Sequence, residues 1–412
     1  LRFEVKPNKP FRVSLFHFEY SGTSRKPAYA PYALWARFRA RPQQHGKTFC
    51  LVVVFRFRTL LSFKSLKSEG RIMSKALREM RIIPILYSML ILSIFCLCWT
   101  TPTHAGWISI GPDGGDIYAL AIDPSTPQTI YAGTYDDGVF KSTNGGTSWT
   151  PITSGLTGVL INSLAINPKA PRTIYAGTYD GGVFKSTNGG TSWTPVNSGL
   201  TDTNNIFCLT INPSTPQTIY AGAGGGILKS TNGGESWTPV NSGLTATAIL
   251  SLAIAPSTPQ TIYAGTYDGG VFKSTNGGTS WTPVNSGLTS SWITSLAINP
   301  KAPRTIYAGT GEGGVFKSTN GGTSWTPITS GLTETYIYSL AINPKAPQTI
   351  YAGAGGGIFK STNGGTSWTQ VSSGLTSNIV YSLAINPSNP QIVYAGSRGD
   401  GVFKSTNGGL EK

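Results

Sequence analysis

The pentapeptide S-T-N-G-G begins at Ser142, Ser186, Ser230, Ser274, Ser318, Ser361 and Ser405, at steps of 44, 44, 44, 44, 43 and 44 residues. A period of this size means stacked units that share one continuous core. One unit parses into four short strands. Within residues 161–196, I-N-S-L-A-I-N is a mostly apolar run, expected for an inner strand buried on both faces. N-P-K-A-P-R is a turn, with proline as the strand stop. T-I-Y-A-G-T is the second strand, and Y-D-G-G turns the chain into a third, G-V-F-K-S-T. N-G-G is a tight hairpin turn, because Asn and Gly tolerate the positive φ such turns need. T-S-W-T-P-V is the outer strand, and no helical period occurs in this region. Four strands about every 44 residues predict one propeller blade. The fold class is therefore all-β, a single seven-bladed β-propeller with four antiparallel strands per blade.

The inner strand recurs at Ile117, Ile161, Ile206, Ile249, Ile293, Ile337 and Val380. The outer strand follows a tight turn only six times, marked by Trp149, Trp193, Trp237, Trp281, Trp325 and Trp368. The seventh turn runs into G-G-L-E-K, while Gly106-Trp107-Ile108-Ser109-Ile110 precedes the first inner strand and resembles S-W-T-P-I. The strand at Trp107–Ile110 is thus expected to close the ring and remove its open edges.

Charge divides the chain at the same place. Residues 1–105 hold 18 Lys+Arg and 4 Asp+Glu, and residues 106–412 hold 14 and 13, balances of +14 and +1. A net charge of +15 would invite a nucleic-acid reading, but the repeat region is nearly neutral, so none is expected there. All three His (His17, His45, His104) precede residue 106, and Cys208 is the sole Cys of the repeats. That region therefore has no internal disulfide, no Cys/His zinc site and no imidazole for a Ser-His-Asp or Cys-His arrangement. No metal, cofactor or catalytic residue is assigned.

Residues 73–105 read as a secretory signal peptide. A basic M-S-K-A-L-R-E-M-R precedes an apolar run, Ile82–Trp99, and small residues at Thr103 and Ala105 set a cut after Ala105. The competing reading is an uncleaved anchor, since the run is nearly long enough to span a bilayer. Neither Cys96 nor Cys98 follows a small residue, which argues against a lipoprotein cut. Residues 1–72 are basic, aromatic-rich and aperiodic, and are set apart as translated upstream sequence or a disordered extension. Export to the periplasm or beyond is expected, with membrane contact only through the signal segment.

S-T-N-G-G-T-S-W resembles the Asp-box, or bacterial neuraminidase repeat, S-x-D-x-G-x-T-W, over residues 107–412. Asn stands where the family has Asp in every copy (Asn144, Asn188, Asn232, Asn276, Asn320, Asn363, Asn407), and Asn can make the same local turn bond. The family spans sialidases, xyloglucanase-type glycoside hydrolases, sortilin-like receptors and photosystem II assembly factors, so the resemblance implies a fold more than a function. Sialidases use three convergent arginines. Here Arg172 and Arg304 sit at a repeated position that carries Gln in other copies, which makes them surface variants. Xyloglucanase-type enzymes resemble two facing propellers, each giving one catalytic Asp, and one propeller cannot reproduce that cleft. The assembly factors are single exported propellers and match best in architecture.

Variation between repeats concentrates on one face. The turn between strands two and three shares this top face with the link from each outer strand to the next inner strand. Candidate ligand-binding residues there are Asp116, Asp136, Asp137, Tyr179, Asp180, Tyr267, Asp268, Trp292, Glu312, Tyr336, Arg398 and Asp400. Ten of the thirteen acidic residues of the repeat region fall on top, and Lys169, Arg172, Lys301, Arg304 and Lys345 lie on the bottom against Asp123. Aromatic platforms with carboxylates suit a protein segment or a polysaccharide. Carboxylates at loop tips are poorly placed for the raised pKa that glycoside hydrolysis needs. The repeated Tyr and Trp are expected in the core, and the Lys of each F-K-S-T at a solvated or inter-blade position. The expected function is a monomeric, non-enzymatic scaffold that contacts a protein through its loop face. The alternative is a propeller that binds or cleaves carbohydrate.

Overall fold

Each repeat folds into an antiparallel four-stranded meander, and the seven meanders form seven separate sheets. The computed structural model describes residues 106–112, 115–157, 160–200 and 205–410. The expectations for residues 1–72 and for the signal segment lie outside these. Blade one runs Ile117–Ile122, Ile130–Thr134, Val139–Ser142 and Thr150–Pro151. Blade seven runs Val380–Ile385, Val393–Ser397 and Val402–Ser405, and takes its fourth strand, Ile108–Ser109, from the other end of the chain. Ile108 pairs with Lys404 and Ser109 with Phe403. The fold is a seven-bladed β-propeller.

The core lies between blades. Tyr131 and Val139 of blade one pack with Ile161, Ile174, Ala176, Phe184 and Trp193 of blade two, and the pattern repeats around the ring. Hydrogen bonds follow the same path. Each indole N–H crosses to the residue just after the preceding outer strand, as in Trp193 to the Ile152 carbonyl at 2.7 Å and Trp107 to the Val371 carbonyl at 2.6 Å. The lysine expected at a solvated or inter-blade position is inter-blade. Lys185 Nζ and the Tyr175 hydroxyl both donate to the Gly233 carbonyl of the next blade, at 2.8 and 2.9 Å. Lys404 reaches Gly145 at 2.8 Å and completes the circle. Burial lowers the pKa of Lys141, Lys273, Lys317, Lys360 and Lys404.

The S-T-N-G-G turn is held by its own side chains. Ser186 Oγ donates to Asn188 Oδ1 and accepts from the Gly190 N–H, both at 2.9 Å. Asn188 Oδ1 also accepts from the Ser192 N–H at 3.0 Å, and Asn188 Nδ2 donates to Ser192 Oγ at 2.8 Å.

Two expectations need correction. The outer strand is two residues long, because the Trp before it turns into the inter-blade core instead of continuing the edge. The inner strand is not buried on both faces: Ile161 is fully buried, but the five residues after it are only partly covered. Their outward neighbours are core, while the other side faces the channel on the propeller axis.

Candidate functional site at the mouth of the channel

Backbone hydrogen bonds join the two sets of loops on the top face. The N–H of Tyr135, Tyr179, Tyr267, Gly311, Gly355 and Arg398 donates to the carbonyl of Asp116, Leu160, Ala248, Trp292, Tyr336 and Ile379 respectively. Each bond ties the turn after a second strand to the residue before its inner strand.

Just below this rim, every inner strand carries a β-bulge between its first and third residues. A bulged residue leaves the ladder and its side chain is re-aimed. The bulged residues are Tyr118, Asn162, Phe207, Leu250, Thr294, Tyr338 and Tyr381. Flanking positions hardly change between repeats, and this one changes almost every time. Tyr118, Phe207, Leu250, Thr294, Tyr338 and Tyr381 converge with Ala248, Tyr267, Trp292 and Tyr336 around one cavity of about 600 Å³. Asn162 turns sideways and donates to the Ile206 carbonyl at 3.0 Å. Thr294 donates to the Ile337 carbonyl of the next blade.

Seven aromatic rings touch in an unbroken series along this mouth. Centroid distances are 5.1 Å for Tyr267–Trp292, 5.0 Å for Trp292–Tyr336 and 4.3 Å for Tyr336–Tyr338. They continue at 5.1 Å for Tyr338–Tyr381, 4.5 Å for Tyr381–Tyr118 and 5.9 Å for Tyr118–Tyr135. Trp292–Tyr336 and Tyr338–Tyr381 meet edge to face, at 85° and 86°. Trp292 lies against the blade-five turn at Gly311, where a Cβ would run into the indole. Tyr stands at that turn position in blades one, two and four, Gly in blades three, five and six, and Arg398 in blade seven, so in blade five the glycine leaves room for the indole.

Burial favours the neutral phenol at Tyr118, Tyr336 and Tyr338. Burial, then Tyr381 and Asp116, raises the pKa of Tyr118. Burial pushes Tyr336 up to about 12. Burial and Tyr381 raise Tyr338, with Arg398 opposing. The mouth therefore offers π faces and hydroxyl groups rather than charge.

Among the residues singled out from the sequence, Tyr267, Trp292 and Tyr336 line the cavity. Asp116 Oδ1 accepts from the Gly399 N–H at 2.7 Å, and Asp400 Oδ2 from the Thr376 hydroxyl at 2.8 Å, so both brace loops. Asp136, Asp137, Tyr179, Asp180, Asp268, Glu312 and Arg398 are exposed on the top loops. On the bottom, Lys169, Lys301 and Lys345 donate to the carbonyls of Ser214, Lys345 and Ser388 in the next blade. Asp123 accepts from the N–H groups of Ser125 and Thr126 at 2.8 and 3.1 Å, a turn role that Asn fills in most other repeats. Among the described residues, no three His, Cys, Asp or Glu side chains come together as metal ligands. Sequence reasoning missed the bulge position altogether. Its signal was the most variable column, Y-N-F-L-T-Y-Y, of a strand that otherwise changes little.

No family model matches the sequence, and no curated protein matches it. Solved structures share the fold. A GH74 enzyme from Niastella koreensis superposes with a TM-score of 0.61 at 22% identity, over 73% of this chain and 54% of that one. The chain thus spans about half the length of that enzyme. YCF48 bound to a D1 peptide gives a TM-score of 0.58 at 16% identity, over 73% of this chain and 97% of that one. The extracellular domain of BT4673 from B. thetaiotaomicron gives 0.56 at 19% identity, over 72% of this chain and 39% of that one. At these identities the likeness is one of fold.

Proposed function

We propose that this protein is an exported, non-enzymatic binding module that holds a segment of a partner protein at the mouth of its channel. The observation that carries the reading is the series of seven touching aromatic rings, three of them on inner-strand bulges and four on the rim loops beside them. Aromatic side chains bury large areas at small entropic cost, which is why they dominate recognition surfaces. The cavity lining consists of Tyr, Phe, Trp, Leu, Ala and Thr, with no carboxylate or imidazole to serve as acid or base. A neighbour of single-propeller size, YCF48, was solved with a peptide bound, which supports a peptide as the ligand class. The extracellular setting of the BT4673 domain supports export.

The second reading is a carbohydrate site. It draws on the GH74 neighbour and on the capacity of aromatic faces to stack on sugars. The two separate cleanly in one experiment. The full chain is applied to a random peptide library and to a glycan array, beside a Trp292→Ala/Tyr336→Ala variant whose folding is checked by circular dichroism. Peptides retained by the parent and lost by the variant are the expected result. Retention of glycans alone would overturn the reading in favour of the second.

A further inference from the structure

We infer that the aromatic mouth is a box for a positively charged side chain, a lysine or arginine presented by the partner. The inference rests on the protein-binding reading above and adds the chemistry of the group received.

Ring orientation is the first argument. A pyranose stacks on one flat face, so a sugar platform needs rings that lie level. Here Trp292 stands at 85° to Tyr336, and Tyr338 at 86° to Tyr381. The one near-parallel pair, Tyr118 and Tyr381 at 11°, is stacked on itself at 4.5 Å, which occupies a face of each ring. Perpendicular rings turn π faces and edges toward one space from several directions. An ammonium or guanidinium within about 6 Å of such faces is attracted by each ring quadrupole, and more strongly where water is excluded.

Charge is the second argument. The described top loops carry Asp116, Asp136, Asp137, Asp180, Asp268, Glu312, Glu334 and Asp400, against Arg398 as the single base. Asp116 lies close enough to Tyr118 to act on its hydroxyl. Asp268 follows Tyr267, and Glu334 lies two residues before Tyr336. A cation approaching this face is drawn in by the rim and received by neutral rings, with no counter-ion of the protein's own to displace from the cavity. The volume of about 600 Å³ accommodates one long side chain with part of its backbone.

The test uses the full chain and three defined probes in calorimetric titrations. They are a capped Gly-Lys-Gly peptide, its norleucine counterpart of similar length without the charge, and cellohexaose. The lysine peptide is expected to bind at least about tenfold tighter than the norleucine peptide, the range desolvated cation–π contacts give. Its affinity should fall as salt is raised. Trp292→Leu and Tyr381→Leu, tested separately so that a folding defect in one does not decide the matter, should each abolish that preference. Arg172→Gln on the bottom face should keep it. Equal affinity for lysine and norleucine, lost in both variants, would overturn the box and leave the protein-binding reading standing. Binding of cellohexaose with no peptide bound would overturn both. Failure of the lysine peptide to bind at millimolar concentration would overturn the box.

Discussion

Trp193 and Trp149 occupy the same place in successive repeats, and the structure makes them unequal. Trp193 is 2% exposed, at the centre of the interface between blades one and two. The link Thr153-Ser154-Gly155-Leu156 closes over it: Ser154 accepts the Trp193 N–H at 2.9 Å, and Leu156 packs on the cluster. Trp149 faces the seam between blades seven and one, where the preceding link begins Gly111-Pro112 and has no Ser-Gly-Leu. Trp149 and Phe140 are only partly buried there, on a notch of about 590 Å³. Burying an aromatic side chain of about 200 Å² is worth roughly 5 kcal/mol at about 25 cal/mol per Å². Trp193→Ala forfeits nearly all of that and leaves a closed cavity, so about 4–5 kcal/mol is expected. Trp149→Ala loses less area, and its site opens onto the notch so that water fills the space. About 2–3 kcal/mol is expected, including the indole bond to Ile110 at 2.8 Å. The assay is equilibrium unfolding in urea followed by circular dichroism, with the slope compared between variants to show that the same transition is measured. Equal losses for the two variants would refute the argument that the link loop, rather than the repeat residue, sets the burial.

Three further outcomes follow from the geometry. Burial pushes Tyr131, Tyr175, Tyr220, Tyr263, Tyr351 and Tyr394 up to about 12. A raised folded pKa gives stability present below the unfolded value near 10 and lost as pH climbs through about 12. The buried lysines act in the opposite sense, but only up to about 10.5, so urea midpoints should fall steeply above that pH, in step with tyrosinate absorbance. Flat midpoints from pH 10 to 12 would contradict this. Gly243 has φ +86, and a Cβ there would run into the Trp281 carbonyl of the next blade, so Gly243→Ala should cost about 2 kcal/mol or more by the same unfolding assay. Asn188→Asp keeps the acceptor that holds the turn, while Ser192 can rotate its hydroxyl to donate. A change within about 0.5 kcal/mol is therefore expected, against about 1–2 kcal/mol for Asn188→Leu.

The period, the strand pattern and the blade count were legible because they are local and repeated. Alternation, turn chemistry and one displaced Trp strand sufficed to place Ile108–Ser109 beside Val402–Ser405 across nearly the whole propeller. Tyr267, Trp292 and Tyr336 were legible as departures from the repeat, but not as neighbours. Reading the inner strand as buried on both faces hid the mouth, since a regular alternation puts Tyr118 and its counterparts in no special place. The bulge that turns them into the channel has no sequence mark of its own. Repetition therefore determined the architecture, because seven equal packing problems have one common solution. Only the closed ring decided the site, because side chains far apart along the chain become a surface when a rotation axis brings the same strand position of each blade to a common centre.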